Sequence, residues 1–240
     1  KNLDVDLILT DYSIWQEKSM RKKRIKGKYM PNDNVIFDYK NMGRKEFLNM
    51  TMHAVTYRTQ LLTAMNYTQT EGISYTDQEW IFYPMQHVNS IIYYPINLYQ
   101  YLLGRSGQTM NASVMIKSLN HQLLILQKMI MSYPSINNMA CKEKQAYLEY
   151  RLKRVCITAY KLALLIQNEH DYQNNEAHIS SFDQMIKVKM PVYYNIMNEY
   201  VIHPILPLKF IAYWRKYHKR YPDSIRCLNF ILKRIQNFLS

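Results

Sequence analysis

The apolar residues in the first part of the chain occur in short runs that predict strands and short helices. Residues 3–9 end in an apolar run, which is typical of a buried strand. Residues 90–103 are β-branched and aromatic, and predict a strand interrupted at Pro95. Between these two runs, residues 44–66 and 77–87 have the spacing of helices. This part of the chain therefore predicts a mixed α/β segment.

After about residue 110 the apolar residues recur every three or four positions, which is the pattern of amphipathic helices. Pro134 ends the first of these helices, and Pro191 forces a kink or break in a later one. A polar connector is predicted for residues 168–181. The helical ranges predicted on this basis are 116–130, 148–166, 182–202, 206–219 and 223–239.

These two patterns predict an α+β fold that is mostly α. Residues 1–110 form the α/β segment, and residues 111–240 form a helical C-terminal domain. No period of 20–50 residues recurs in the sequence, so a solenoid is not indicated.

Composition narrows the classes of function. The 31 Lys and Arg against 18 Asp and Glu give a net charge of +13, which attracts nucleic acid, anionic lipid or phosphate-bearing substrates. Only 5 glycines argue against a glycine-rich nucleotide loop. Cys141, Cys156 and Cys227 are far apart, which argues against a disulfide framework and a cysteine zinc site and fits the reducing cytoplasm. No apolar stretch approaches the about 18 residues of a membrane span.

The most distinctive local motif is the segment Tyr75-Thr76-Asp77-Gln78-Glu79-Trp80. One interpretation is structural: Thr76 and Glu79 form a capping box, and Asp77 complements the helix dipole. The other interpretation is functional: Asp77 faces a cleft at a helix start and accepts a proton as a general base. The two interpretations are compatible, because a residue in a helix cap can also face a ligand.

Three motifs in order make residues 69–110 resemble the second half of a family 2 glycosyltransferase catalytic domain. The acidic motif at 75–80 is followed by Pro95-Ile96-Asn97-Leu98-Tyr99-Gln100-Tyr101 and then by Gly104-Arg105-Ser106-Gly107-Gln108-Thr109. Residues 52–62 resemble the helix that precedes the acidic motif in this family. Leu3–Tyr12 resembles the strand that follows the family's metal-binding motif. The resemblance covers residues 3–110, and residues 111–240 carry no motif of the family.

The resemblance implies the later, acceptor-side half of a GT-A type domain. Its reaction would be the inverting transfer of a sugar, of the hexosyltransferase type, from a nucleotide sugar to an acceptor hydroxyl. The acceptor would belong to polysaccharide or lipid-linked glycan synthesis. Asp77 would be the catalytic base, and Trp80 in the same motif would bind substrate. Arg105 and Gln108 would bind substrate near the donor or the rim of the active site.

His53 is the one histidine within residues 3–62 of the family-like region. It would contact the acceptor or the diphosphate, or it would be a hydrogen-bonded structural histidine. The seven histidines form no H-x-H or H-E-x-x-H pattern, so the sequence predicts no histidine metal site.

The nucleotide-binding half of such a domain is missing from the sequence. The family's Asp-x-Asp motif, which holds Mg²⁺ or Mn²⁺ on the nucleotide sugar, lies at the end of an apolar strand. Here Asp4 and Asp6 precede one, so we predict no metal ligands and no cofactor in this chain. The first residue is Lys1 and not Met, so we expect a C-terminal piece that is inactive alone.

Two basic regions of the sequence each allow a structural and a functional interpretation. Residues 18–28 contain seven Lys and Arg, and are either a solvated loop or a clamp for phosphates or an anionic membrane. The last 35 residues interleave basic and aromatic residues, as in an interfacial membrane helix or a helix of a bundle. The alternative to the transferase is thus a basic module without catalysis, for nucleic acid or for membrane docking. We expect a cytoplasmic protein at the inner face of the membrane, and nucleic acid is the less favoured partner because no recognition motif is present.

Overall fold

The structure is a computed structural model that describes residues 4–17, 19–27, 31, 35–42, 50–105 and 112–228. It has about 52% helix and 20% strand, which confirms the predicted α+β class with mostly helix. The chain forms two compact units. The first comprises Lys1–Asn111 with Pro134–Leu152, and the second comprises Ala112–Tyr133 with Lys153–Ser240.

The first unit is built on a mixed sheet in the order β2-β1-β5-β3, with β4 also paired to β1. Strands β1 and β5 are parallel, whereas β2, β3 and β4 run antiparallel to their neighbours. The strands are β1 (Leu7–Gln16), β2 (Arg21–Ile25), β3 (Ile36–Phe37), β4 (Val55–Tyr57) and β5 (Ile91–Leu103). Strand β1 therefore begins later than the strand predicted at Leu3–Tyr12 and ends four residues beyond it.

Burial explains the central position of β1 and β5. Leu7 and Ile91 are fully buried and lie opposite each other in the parallel pair. The predicted interruption of the second strand at Pro95 is wrong, because β5 continues through it. The register of the β1–β5 pair shifts between Thr10 and Tyr12, opposite the stretch of β5 that contains Pro95. Such a bulge tolerates a proline, which has no amide hydrogen to donate.

The helical segments of the first unit are shorter than predicted. Within residues 44–66, Val55–Tyr57 is a strand because its β-branched and aromatic residues pair with β1, and the helix α1 covers Thr59–Ala64. Residues 43–49 lie outside the described part. Within residues 77–87, the helix α2 covers only Asp77–Trp80, and a 3-10 turn follows at Pro84–Gln86, where the proline lacks an amide hydrogen.

The remaining helices follow in chain order. They are α3 (Ala112–Lys117), α4 (Leu119–Met131), α5 (Tyr133–Asn137), α6 (Lys142–Lys161), α7 (Glu169–Lys189), α8 (Pro191–Met197) and α9 (Phe210–Tyr217), with a π-helical turn at Leu162–Ile166 after α6. Helix α4 packs on α7 within the second unit. The break at Pro191 is confirmed, since α7 ends at Lys189 and α8 begins at the proline.

Two predictions for the second part of the chain are wrong. The polar segment 168–181 is not a connector, because Asn168 caps the helix α7 by accepting a hydrogen bond from the amide of Asp171. The helix predicted for 206–219 begins only at Phe210, since Leu206–Lys209 forms β7, which pairs with β6 (Val201–His203). The last predicted helix, 223–239, is helical at 223–228, and its remainder lies outside the described residues.

In the described part of the chain, no helix is long and apolar enough to cross a membrane.

Candidate active site

Asp4 and Asp6 form ion pairs at the start of β1. The Arg58 guanidinium contacts both carboxylates, and its Nη2 lies 2.5 Å from Asp6 Oδ1. Asp6 Oδ2 accepts hydrogen bonds from the amides of Asn89 at 2.8 Å and Ser90 at 3.1 Å. Burial alone would raise the pKa of Asp6, but these amides and Arg58 lower it. The pair thus ties β1 to Arg58 and to residues 89–90, and its oxygens do not fit a metal site, so no catalytic step is assigned to a metal in this chain.

The capping box predicted for Thr76 and Glu79 does not form. Thr76 makes no side-chain capping bond, and its hydroxyl accepts a hydrogen bond from Gln69 Nε2 at 2.7 Å. The Glu79 carboxylate is buried and accepts instead from the amide of Thr70 at 2.9 Å and from its hydroxyl at 2.8 Å. Glu79 therefore attaches the preceding loop to α2 and leaves Asp77 as the remaining carboxylate of the helix.

Asp77 is the first residue of α2, and its carboxylate is partly buried. Among the described residues, the side chain that donates a hydrogen bond to it is a neutral one, Gln78 Nε2 at 3.1 Å from Oδ2. Burial raises the pKa of Asp77 above its ordinary value, and the hydrogen bonds from Gln78 oppose this only partly. A carboxylate with a raised pKa and no ion-pair partner holds a proton more readily, which is the property of a general base.

Arg151 of α6 lies near this helix and was not predicted as a site residue. It is buried, donates from Nε to the Tyr147 hydroxyl at 3.2 Å, and contacts the carbonyl oxygen of Met50 through Nη2. The Tyr147 hydroxyl donates to the carbonyl of Ile81 at 2.9 Å. The positive charge of Arg151 also acts on Asp77 and lowers its pKa in part. Arg151 and Tyr147 thus connect the end of α2 with the segment that leads to β4.

Trp80, at the end of α2, is partly buried between two tyrosines. Its ring makes edge contacts with Tyr57 at 4.9 Å and with Tyr67 at 5.7 Å between centroids. Its carbonyl oxygen accepts from the Tyr57 hydroxyl at 2.9 Å. These contacts fix α2 against β4, so the position of Asp77 depends on Trp80.

His53 lies in an aromatic cluster on one face of the sheet. Its ring stacks on Tyr99 at 4.7 Å, and lies 4.3 Å from Tyr101 and 5.4 Å from Tyr12. Tyr12 and Tyr99 are opposite each other in the parallel pair of β1 and β5, and Tyr101 is two residues further along the same face. Within the described ranges, the buried Nδ1 of His53 has no hydrogen-bond partner. Among the described residues, the His53 ring is thus held by stacking on tyrosines and not by a hydrogen bond at Nδ1.

We predict that His53 resists protonation. Burial lowers its pKa below the ordinary value of 6.5. Because the folded state then binds fewer protons than the unfolded state, His53 lowers the stability of the fold as the pH falls below about 6.5. An NMR titration of the His53 ring should give a midpoint below 6.5. A His53 midpoint at or above 6.5 would contradict this prediction.

The predicted site residues fall into separate groups. Asp77 and Trp80 share α2, whereas His53 belongs to the cluster with Tyr99, and Arg105 is exposed two residues beyond the end of β5. In the described part of the chain, no hydrogen bond or ring contact joins His53, Asp77 and Arg105 to one another. Gln108 lies outside the described residues.

Sequence reasoning missed Tyr12, Tyr99 and Arg151. The alternation of a strand places Tyr99 and Tyr101 on one face, but the sequence does not show that β1 pairs in parallel with β5 and adds Tyr12. Arg151 carries no signal at all, because a basic residue inside a helical stripe is usually solvent-exposed.

Comparisons with known proteins return no match, either to a family model or to a curated protein.

Proposed function

We propose that the chain is the acceptor-side part of an inverting glycosyltransferase of the GT-A type. It would transfer a hexosyl group from a nucleotide sugar to a hydroxyl of a glycan or lipid-linked acceptor, in the cytoplasm at the inner face of the membrane. The observation that carries the proposal is the Asp77 carboxylate, which is partly buried at the start of α2, has a raised pKa and makes no ion-pair hydrogen bond among the described residues.

The chemistry proposed for Asp77 is a single displacement. The carboxylate accepts the proton of the acceptor hydroxyl as that oxygen attacks the anomeric carbon of the donor sugar. The bond from this carbon to the diphosphate breaks as the new glycosidic bond forms, so the anomeric configuration inverts. The nucleoside diphosphate leaves with the bonding electron pair, and the proton stays on Asp77.

Two features of this chain support the base role. Ion pairing would lower the basicity of a carboxylate, and Arg151, whose charge acts on Asp77, is already engaged with Met50 and Tyr147. The position of α2 is determined from three sides, by Trp80 against Tyr57, by Glu79 on Thr70 and by Tyr147 on Ile81. A carboxylate fixed in this way has a defined orientation, which is one requirement of a general base.

The aromatic cluster of His53 supports a sugar-binding role for the same unit. Tyr99 is 43% exposed, so part of its ring is available to the apolar face of a sugar. The ring is stacked on His53 from the other side and does not have to be ordered when a ligand binds. Arg105 follows the same strand and is exposed, in a position to contact an anionic part of a substrate.

Release of a nucleoside diphosphate tests the proposal. The protein encoded by the complete gene is supplied with a set of nucleotide sugars, Mg²⁺ or Mn²⁺, and membrane or glycan acceptors. We expect one nucleotide sugar to yield its nucleoside diphosphate and a glycosylated acceptor of inverted configuration. If no donor is consumed with any acceptor, or if the anomeric configuration is retained, the proposal is wrong.

A further inference from the structure

The first unit carries a basic β-hairpin, which we call the basic arm and define as residues 12–16 and 19–26. Strand β2 is the outermost strand of the sheet, and its residues Arg21, Lys22, Lys23 and Arg24 are all exposed. Lys26 follows β2 and is also exposed. From Tyr12 to Gly27 the sequence contains one acidic residue, Glu17. The predicted loop is thus wrong for residues 21–24, which lie on β2, although their side chains are exposed to solvent as predicted. Lys18 and Lys28 of the predicted run lie outside the described residues.

A buried carboxylate attaches the basic arm to the sheet. Asp11 is 1% exposed, and its Oδ2 accepts from Arg24 at 2.7 Å and 2.9 Å. Its Oδ1 accepts from the Tyr93 hydroxyl at 2.5 Å and from the amide of Gly27 at 3.2 Å. Arg24 Nη2 also donates to the carbonyl of Pro95 at 2.6 Å. Of the basic residues of the arm, Arg24 thus has a structural role, and Arg21, Lys22 and Lys23 provide its surface charge.

Apolar and aromatic side chains are exposed beside these charges. Met20, in the turn before β2, is 74% exposed. The register places Lys22, Trp15 and Leu102 in one row across three strands, with Lys22 Nζ 4.9 Å from the centre of the Trp15 ring. Leu102 is 37% exposed, and Leu98 in the same strand is 65% exposed. The surface therefore combines cations, a partly exposed tryptophan and exposed aliphatic side chains.

We infer that the basic arm docks on an anionic lipid surface. Lys and Arg next to an anionic leaflet are attracted to it individually, while Trp is favoured at the depth of the headgroups. Exposed Met20 and Leu98 gain free energy by entering the interface. Nucleic acid would use the same cations through its phosphates, but phosphate contacts leave these aliphatic side chains in water, so lipid fits the whole surface better. The inference does not depend on the sugar-transfer proposal.

Co-sedimentation of the 240-residue chain with vesicles tests this inference. We expect binding to phosphatidylserine–phosphatidylcholine vesicles, little binding to phosphatidylcholine alone, and weaker binding as the salt concentration rises. The triple variant Arg21→Gln, Lys22→Gln, Lys23→Gln should lower the affinity about 100-fold, because each cation contributes roughly fivefold near the surface. Met20→Ser keeps the charge and should lower the affinity several-fold.

A matched triple variant distinguishes the contribution of the basic arm from that of the overall net charge. Lys128→Gln, Lys187→Gln, Lys189→Gln removes the same charge from exposed positions of the second unit, and should lower the affinity much less. Circular dichroism should show the same fold in all variants. Equal losses in the two triple variants, equal binding to neutral vesicles, or retention of RNA without binding to vesicles would overturn the inference.

Discussion

We expect Asp77→Asn to lower the rate of sugar transfer by about 10²- to 10⁴-fold, the contribution of a positioned general base. The amide has the size of the carboxylate but cannot accept the proton of the acceptor hydroxyl. The change should appear in kcat, since the asparagine side chain of the variant still allows the donor and the acceptor to bind. Product formation is measured with the donor and the acceptor identified in the test of the proposed function.

Glu71→Gln is the matched control for this variant. Glu71 is an exposed carboxylate of the loop before α2, and its neutralisation changes the net charge by the same amount. We expect it to keep the wild-type rate. Because Asp77 makes no ion pair among the described residues, Asp77→Asn should also keep the thermal stability of the fold. Full activity of Asp77→Asn would show that the base has been assigned to the wrong residue.

The second large effect is expected from Asp11→Ala, which should lower the free energy of unfolding. Asp11→Ala removes the acceptor of the Arg24 Nε and of the Tyr93 hydroxyl, and one of the two acceptors of the Gly27 amide, which also donates to the Tyr93 hydroxyl. Because the Asp11 side chain is fully buried but the Arg24 side chain is 38% exposed, we expect the free energy of unfolding to fall by about 1–3 kcal/mol. The free energy of unfolding is measured from amide hydrogen exchange in β1, so that it refers to the first unit.

Amide hydrogen exchange in β2 measures how far Asp11→Ala destabilises this strand locally. Since Asp11 attaches β2 through Arg24 and Gly27, the amides of β2 should lose more protection than those of β5. The control Glu17→Gln changes an exposed carboxylate of the same hairpin, and should alter the free energy of unfolding by less than about 0.5 kcal/mol. A change of similar size in the two variants would contradict the structural role of Asp11.

The sequence predicts elements well where the apolar spacing is long and regular, and poorly where pairing decides the structure. The stripe at 148–166 corresponds to α6 and the π-helical turn that follows it. In contrast, the spacing predicts helices at Val55–Tyr57 and Leu206–Lys209, but both are strands. Val55–Tyr57 pairs with β1, which is distant in sequence, and Leu206–Lys209 pairs with β6 across a short turn. Asn168 was placed in a connector, because a cap within a polar segment is a weak signal.

The contacts of the candidate site are also poorly predicted from the sequence. The motif around Asp77 was visible in the sequence, but the capping box was not formed, because Glu79 found a stronger set of donors at Thr70. The stacking of His53 on Tyr99 and the burial of Arg151 depend on the assembled fold. Residue types and local spacing cannot show such contacts between distant segments.

The central claim, that Asp77 is the base of a sugar transfer, is tested most directly by the pH dependence of kcat/KM. The base works in its ionised form, so the rate should rise with pH through the pKa of Asp77, which burial raises above its ordinary value of 3.8. We predict an acid limb with a midpoint above 3.8 in the wild-type protein, and its loss in the residual activity of Asp77→Asn. An acid limb that is the same in both proteins would contradict the account.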